Sequence, residues 1–71
     1  MDIMIFKTNI ADTKNVAEIK PHLEAIPGVQ RITVDLHDID KVLRIEASDL
    51  TSTHIQTVVQ KAGFYCEELT D

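Results

Sequence analysis

Residues 26–34 read IPGVQRITV. The proline–glycine pair stops whatever helix precedes it, because proline carries no backbone donor and a Pro-Gly pair favours a turn. Beyond the pair the chain alternates. Ile32, Val34 and Leu36 fall on one face of RITVDL (31–36), the period-two pattern of a half-buried strand. Residues 60–69, QKAGFYCEEL, repeat the plan: a helix end, a glycine, then a short run of strand formers. The chain therefore reads as two halves built alike.

Toward the N-terminus, Val16, Ile19, Leu23 and Ile26 recur at spacings of three, four and three, which is one face of a helix. Asp12 or Thr13 can cap it. Pro21 lies inside that pattern and predicts a kink or loosened first turns. Before it, IMIFK (3–7) is a strand. After the second strand, HDID (37–40) is a polar turn and KVLRIEA (41–47) alternates again, so residues 31–47 predict a hairpin. Thr51 can cap a second helix whose buried stripe is Ile55, Val58, Val59 and Ala62. Gly63 suits the residue just beyond its C-terminus, and FYCEEL (64–69) closes the chain as a strand.

The order strand, helix, strand, strand, helix, strand is the split βαβ plan. It predicts an α+β, ferredoxin-like βαββαβ sandwich spanning residues 1–71 as a single domain. Four antiparallel strands in the order 4-1-3-2 should carry both helices on one face.

Composition sets bounds on function. At 71 residues a single core is small. An apolar share of 44% suits a globular domain. The one cysteine excludes an internal disulfide and a cysteine-only metal cage within one chain. A net charge of −5, with no basic stripe, argues against nucleic acid and against anionic membrane surfaces. MDIMIFKT lacks a basic leader and a long apolar run, so a cytoplasmic protein is expected. No serine or cysteine has a base nearby in sequence, and no glycine-rich phosphate cradle is present. Glu67 and Glu68 point to opposite sides of a strand. A non-catalytic protein is expected.

FKTNI (6–10), AIPGVQRITVDL (25–36) and VVQKAGFYCEE (58–68), in that order and spacing, resemble a heavy-metal-associated domain, the fold of small copper carriers and of N-terminal modules of metal-pumping ATPases. The resemblance implies a CxxC in the first loop. There, one thiolate in the loop and one in the first helical turn clamp Cu(I), or Zn, and the helix N-terminus lowers their pKa. In this chain the two ligand positions fall on Asp12 and Asn15. No metal cofactor is therefore expected. Asp12 is a hard oxygen donor, Asn15 offers one neutral carbonyl, and Lys14 between them adds a positive charge. The loop Asp12, Thr13, Lys14, Asn15 reads as a helix cap or a surface for a partner. The rival reading is a metal-binding or transport protein holding a hard or borderline ion with Asp12 and Asn15.

Other candidates are few. Cys66 should point toward the helices, with Phe64, as a buried thiol. His22, His37 and His54 are dispersed and share no ligand spacing. On the first strand Met4 and Phe6 should face the helices, leaving Ile3 and Ile5 on the open side of the sheet. Val42 and Tyr65 have the same outward parity. Ile3, Ile5, Val42 and Tyr65 together predict an apolar contact patch, with Thr33 and Arg44 at its rim. A protein partner, or a second copy of the chain, is the expected ligand.

Overall fold

The computed structural model describes residues 2–69. Its elements are β1 (Asp2–Thr8), α1 (Thr13–Glu24), β2 (Val29–Asp35), β3 (Val42–Ala47), α2 (Ser52–Lys61) and β4 (Cys66–Glu68). The strands form one antiparallel sheet in the order β2-β3-β1-β4, the expected 4-1-3-2 arrangement read from the other edge. The central strands supply the sheet's half of the core: Met4 and Phe6 from β1, Leu43, Ile45 and Ala47 from β3. Ile19 and Leu23 of α1 and Ile55 and Val59 of α2 close over them. Strand alternation puts every second residue of β1 inward, so Ile3, Ile5 and Lys7 stand on the uncovered face.

Both helices begin at side-chain caps. Asp12 caps α1, and Thr51 caps α2 by accepting the His54 N–H at 3.2 Å. α1 carries through Pro21 in one piece to Glu24, and Val16 N–H donates to the Asp12 carbonyl at 3.1 Å, so its first turn is closed rather than loosened. Pro21 is exposed and lies one turn from the helix end, where a missing donor costs one interior bond only. α2 ends in a Schellman motif: Gly63 N–H donates to Gln60 at 3.0 Å and Phe64 N–H to Val59 at 3.2 Å, with Gly63 at φ +97°.

Strand boundaries differ from the sequence pattern by one or two residues, and three of the strand starts have a local reason. β4 begins at Cys66 rather than residue 64, because the Phe64 N–H closes the helix and the Tyr65 N–H donates to Asn9 Oδ1 at 2.8 Å. β2 begins at Val29 through a register shift between Val29 and Arg31. β3 begins at Val42 because Lys41 sits at φ +47°, outside strand geometry. The hairpin turn is held by its own side chains. Asp35 Oδ1 accepts the His37 N–H at 3.0 Å and Asp38 Oδ1 the Asp40 N–H at 2.7 Å, which is ordinary Asx-turn chemistry.

Candidate functional site

The loop between β1 and α1 is tied down at both ends. At its start, the buried Thr8 hydroxyl donates to the Lys41 carbonyl and accepts the Ile10 N–H at 3.2 Å. Ile10 is fully buried, so the loop's second residue is a core residue. At its end, Asp12 Oδ1 accepts the Asn15 N–H at 2.9 Å, and Asn15 Oδ1 reaches back to accept the Ala11 N–H at 3.0 Å. This is a reciprocal clasp like a capping box shifted by one residue: the Asn15 N–H of the first turn is held by the cap, and the Ala11 N–H just before the cap is held by Asn15. Thr13 and Lys14 lie between, exposed. Asp12 is therefore the cap, and Asn15 is its counterpart, a role that the spacing alone left unassigned.

The second candidate surface is the uncovered face of the sheet. Register places Arg31, Glu46 and Ile3 in one row across it. Thr33, Arg44 and Ile5 make the next row, extended by Leu69, whose N–H donates to the Ile5 carbonyl at 2.8 Å. Val42 stands beside Asp35 in the row after that. Ile5, Val42, Thr33, Arg44, Asp35 and Asp38 line one shallow depression of about 280 Å³. Ile3, Ile5 and Val42 thus share a face, with Thr33 and Arg44 alongside as expected. Tyr65 shares the face but not the patch. It lies at the Asn9 end of β1, with Lys7 and Glu67, opposite each other, separating it from Ile5. Its hydroxyl donates to the Glu67 carboxylate, a bond that raises the phenol's pKa. The apolar neighbour of Ile5 is Leu69, which the sequence reading missed. The signal was present: with β1 and β4 antiparallel, Leu69 has the outward parity of Tyr65 and lies further along the same strand direction.

No family model and no curated protein matches the sequence. Solved structures match its shape across almost its full length. The N-terminal domain of PacS from Synechocystis superposes with a TM-score of 0.84 at 15% identity, over 99% of this chain and all of that one. The yeast copper transporter domain Ccc2a, solved in apo and Cu(I)-loaded states, gives 0.83 at 21% identity over 97% and 96% of the two chains. Oxidized MerP from Ralstonia metallidurans gives 0.83 at 10% identity over 97% of each. The chain has the heavy-metal-associated domain fold.

The donor set of the first loop does not suit a soft ion. It offers one carboxylate and one amide oxygen, and the Oδ1 atom of each is spent on a backbone N–H. Soft cations select thiolate or thioether. The chain's single sulfur of thiol type, Cys66, is buried on β4 and opposite Thr8. Among the described residues no cluster of three His, Cys, Asp or Glu side chains is arranged to hold an ion. His22, His37 and His54 are all exposed, on α1, the hairpin turn and α2 respectively.

Burial pushes the Cys66 thiol up to about 11 from its ordinary value near 9. A thiol-reactive dye at neutral pH labels the native protein slowly and the denatured protein at once. The linkage has a definite sign. As pH rises above about 9 the unfolded chain loses this proton first, while the folded chain keeps it to about 11. Stability attributable to Cys66 is flat below that window and falls across it. A Cys66→Ala variant should lose this alkaline sag in a denaturation series; fast native labelling at neutral pH would contradict the buried geometry.

Proposed function

We propose that this chain is a non-catalytic, cytoplasmic binding module on the heavy-metal-associated fold, acting through protein contact rather than by carrying a soft metal. The observation that carries this reading is the Asp12–Asn15 clasp. The two positions from which the fold would present ligands are turned onto the backbone, where they serve as a helix cap. The charge and composition support a protein ligand: the chain is acidic, and no described helix is long and apolar enough to cross a membrane.

The test is a metal titration of the reduced protein with Cu(I), Zn²⁺, Ni²⁺ and Mg²⁺, run beside an Asp12→Cys/Asn15→Cys variant. The wild type should give no saturable binding. The variant should bind Cu(I), because it restores two thiolates at a helix N-terminus. Sub-micromolar binding by the wild type, abolished by Asp12→Ala, would overturn this reading and make Asp12 and Asn15 ligands for a metal carrier of different chemistry.

A further inference from the structure

We propose that the outer edge of β2 is the contact surface of a homodimer. In it β2 pairs antiparallel with β2 of a second copy, about a two-fold axis that passes beside Thr33 at right angles to the sheet. The inference rests on the reading of the chain as a binding module and names its partner.

The backbone bonds decide what this edge presents. Leu69 N–H donates to the Ile5 carbonyl, so the backbone groups of Ile5 face β4. In an antiparallel ladder the residue paired with it then turns its own groups the other way. That residue is Arg44, whose N–H and carbonyl therefore face Thr33 of β2. By alternation, Arg31, Thr33 and Asp35 direct their backbone groups to β3, and Ile32 and Val34 direct theirs to the open edge. Such an edge is a template for another strand. The opposite edge, β4, is blunted by its length of three residues, against seven in β2. Residues 31–36 carry neither proline nor lysine, and Ile32, Thr33 and Val34 are consecutive β-branched residues. The register shift between Val29 and Arg31 confines the usable stretch to residues 31–35.

That stretch is its own complement. Arg31-Ile32-Thr33-Val34-Asp35, laid antiparallel on a second copy with Thr33 opposite Thr33, sets Arg31 opposite Asp35 and Ile32 opposite Val34 on both sides of the axis. Ile32 and Val34 are the residues with edge-facing backbone groups, so they exchange the ladder bonds. Arg31 and Asp35 then form the pair without backbone bonds, in which side chains stand closest. Both lie on the uncovered face of the sheet and both keep capacity for a partner. The Arg31 side chain is 75% exposed although its Nε is 3.8 Å from Glu46, and Asp35 commits Oδ1 to the His37 N–H, leaving Oδ2 for a guanidinium. On the other face Ile32 and Val34 are half-buried against the core, and their pairing continues the apolar layer across the axis.

Charge selects both the register and the occupant. An axis at Ile32 would set Arg31 opposite Thr33, and an axis at Val34 would set Arg31 opposite His37 and Asp35 opposite Thr33. The axis at Thr33 pairs opposite charges. A wholly acidic or wholly basic foreign strand would satisfy one of these two side chains and oppose the other, whereas a second copy satisfies both. The contact is isologous, so it closes at two copies and leaves no edge for a filament. The net charge of −5 repels copies at long range, but salt at about 150 mM screens that repulsion beyond ~8 Å and leaves the contact pairs to decide.

Sedimentation velocity from about 10 to 500 μM, at about 150 mM salt and with a chelator so that no metal bridges the copies, tests this. The wild type should move from the 8.0 kDa chain toward about 16 kDa. Arg31→Asp and Asp35→Arg should each weaken the dimer about tenfold or more, because like charges then stand opposite across the axis. The double variant Arg31→Asp/Asp35→Arg should restore it. An equimolar mixture of the two single variants should form a heterodimer, since one then carries acids and the other arginines at both positions. Circular dichroism should be unchanged throughout. Should a variant fail to fold, amide exchange of the wild type decides: the Ile32 and Val34 N–H groups should exchange more slowly as concentration rises, and Thr33, bonded to β3, should change least. A wild type that stays monomeric, a dimer indifferent to charge reversal, or Ile32 and Val34 amides indifferent to concentration overturns the proposal. The binding-module reading fails separately, by saturable metal binding in the titration described above.

Discussion

Gly28→Ala should destabilise this domain by about 3–4 kcal/mol, a large share of the stability a chain of this length ordinarily has. Two costs add. Gly28 sits at φ +98°, where an L side chain is strained by roughly 1–2 kcal/mol. A Cβ there would also run into the Ser48 carbonyl oxygen, which is backbone and cannot swing aside. The Ser48 N–H donates to the Gly28 carbonyl at 2.9 Å, so relief by moving either strand breaks the closing bond of the β2–β3 ladder. Gly63 is the internal control. It has nearly the same dihedral, φ +97°, and open space around the missing Cβ. Gly63→Ala should cost only the conformational part, about 1–2 kcal/mol. Urea denaturation of both variants checks this. Equal losses at the two glycines would show that the Ser48 contact relaxes and that the close approach contributes nothing.

Ile10→Ala should cost about 2–4 kcal/mol, as a fully buried isoleucine does when truncated, and should loosen the first loop in particular. Ile10 is the residue that pins the loop to the core. Its N–H is held by Thr8, and the clasp of Asp12 with Asn15 begins two residues later. Amide exchange at Ala11 and Asn15 should therefore accelerate in Ile10→Ala by more than the global loss of stability accounts for. Ile3→Ala, the same truncation at a side chain that stands half exposed, should stay within about 0.5 kcal/mol of the wild-type monomer's stability. A cost for Ile10→Ala as small as that for Ile3→Ala would mean that the loop is anchored elsewhere.

Most of the architecture is legible in residue order. Helix faces show as Val16, Ile19, Leu23 and as Ile55, Val58, Val59 because burying one side of a helix demands that spacing. The hairpin shows because its strands alternate. Glycines 28 and 63 mark where helices stop. These are local demands, met by neighbours in sequence. The start of β4 shifted because a distant group took a backbone donor. Asn9 takes the Tyr65 N–H across 56 positions and shortens that strand. Nothing in the FYCEEL pattern could announce that.

The candidate sites divide along the same line. The absence of a CxxC and the capping preference of Asp12 were already plain from residue types at positions 12 to 15, because a cap involves only its own first turn. Three things needed the folded chain. Asn15 reaches back to Ala11 only once the loop has closed. Ile10 becomes core only because Thr8, tied to Lys41 across 33 positions, turns the chain inward there. Leu69 rather than Tyr65 flanks Ile5, because the pairing of β1 with β4 is a matter of register between the chain's two ends. Periodicity tells which face a residue takes; register, set by long-range backbone bonds, decides which residues on that face become neighbours.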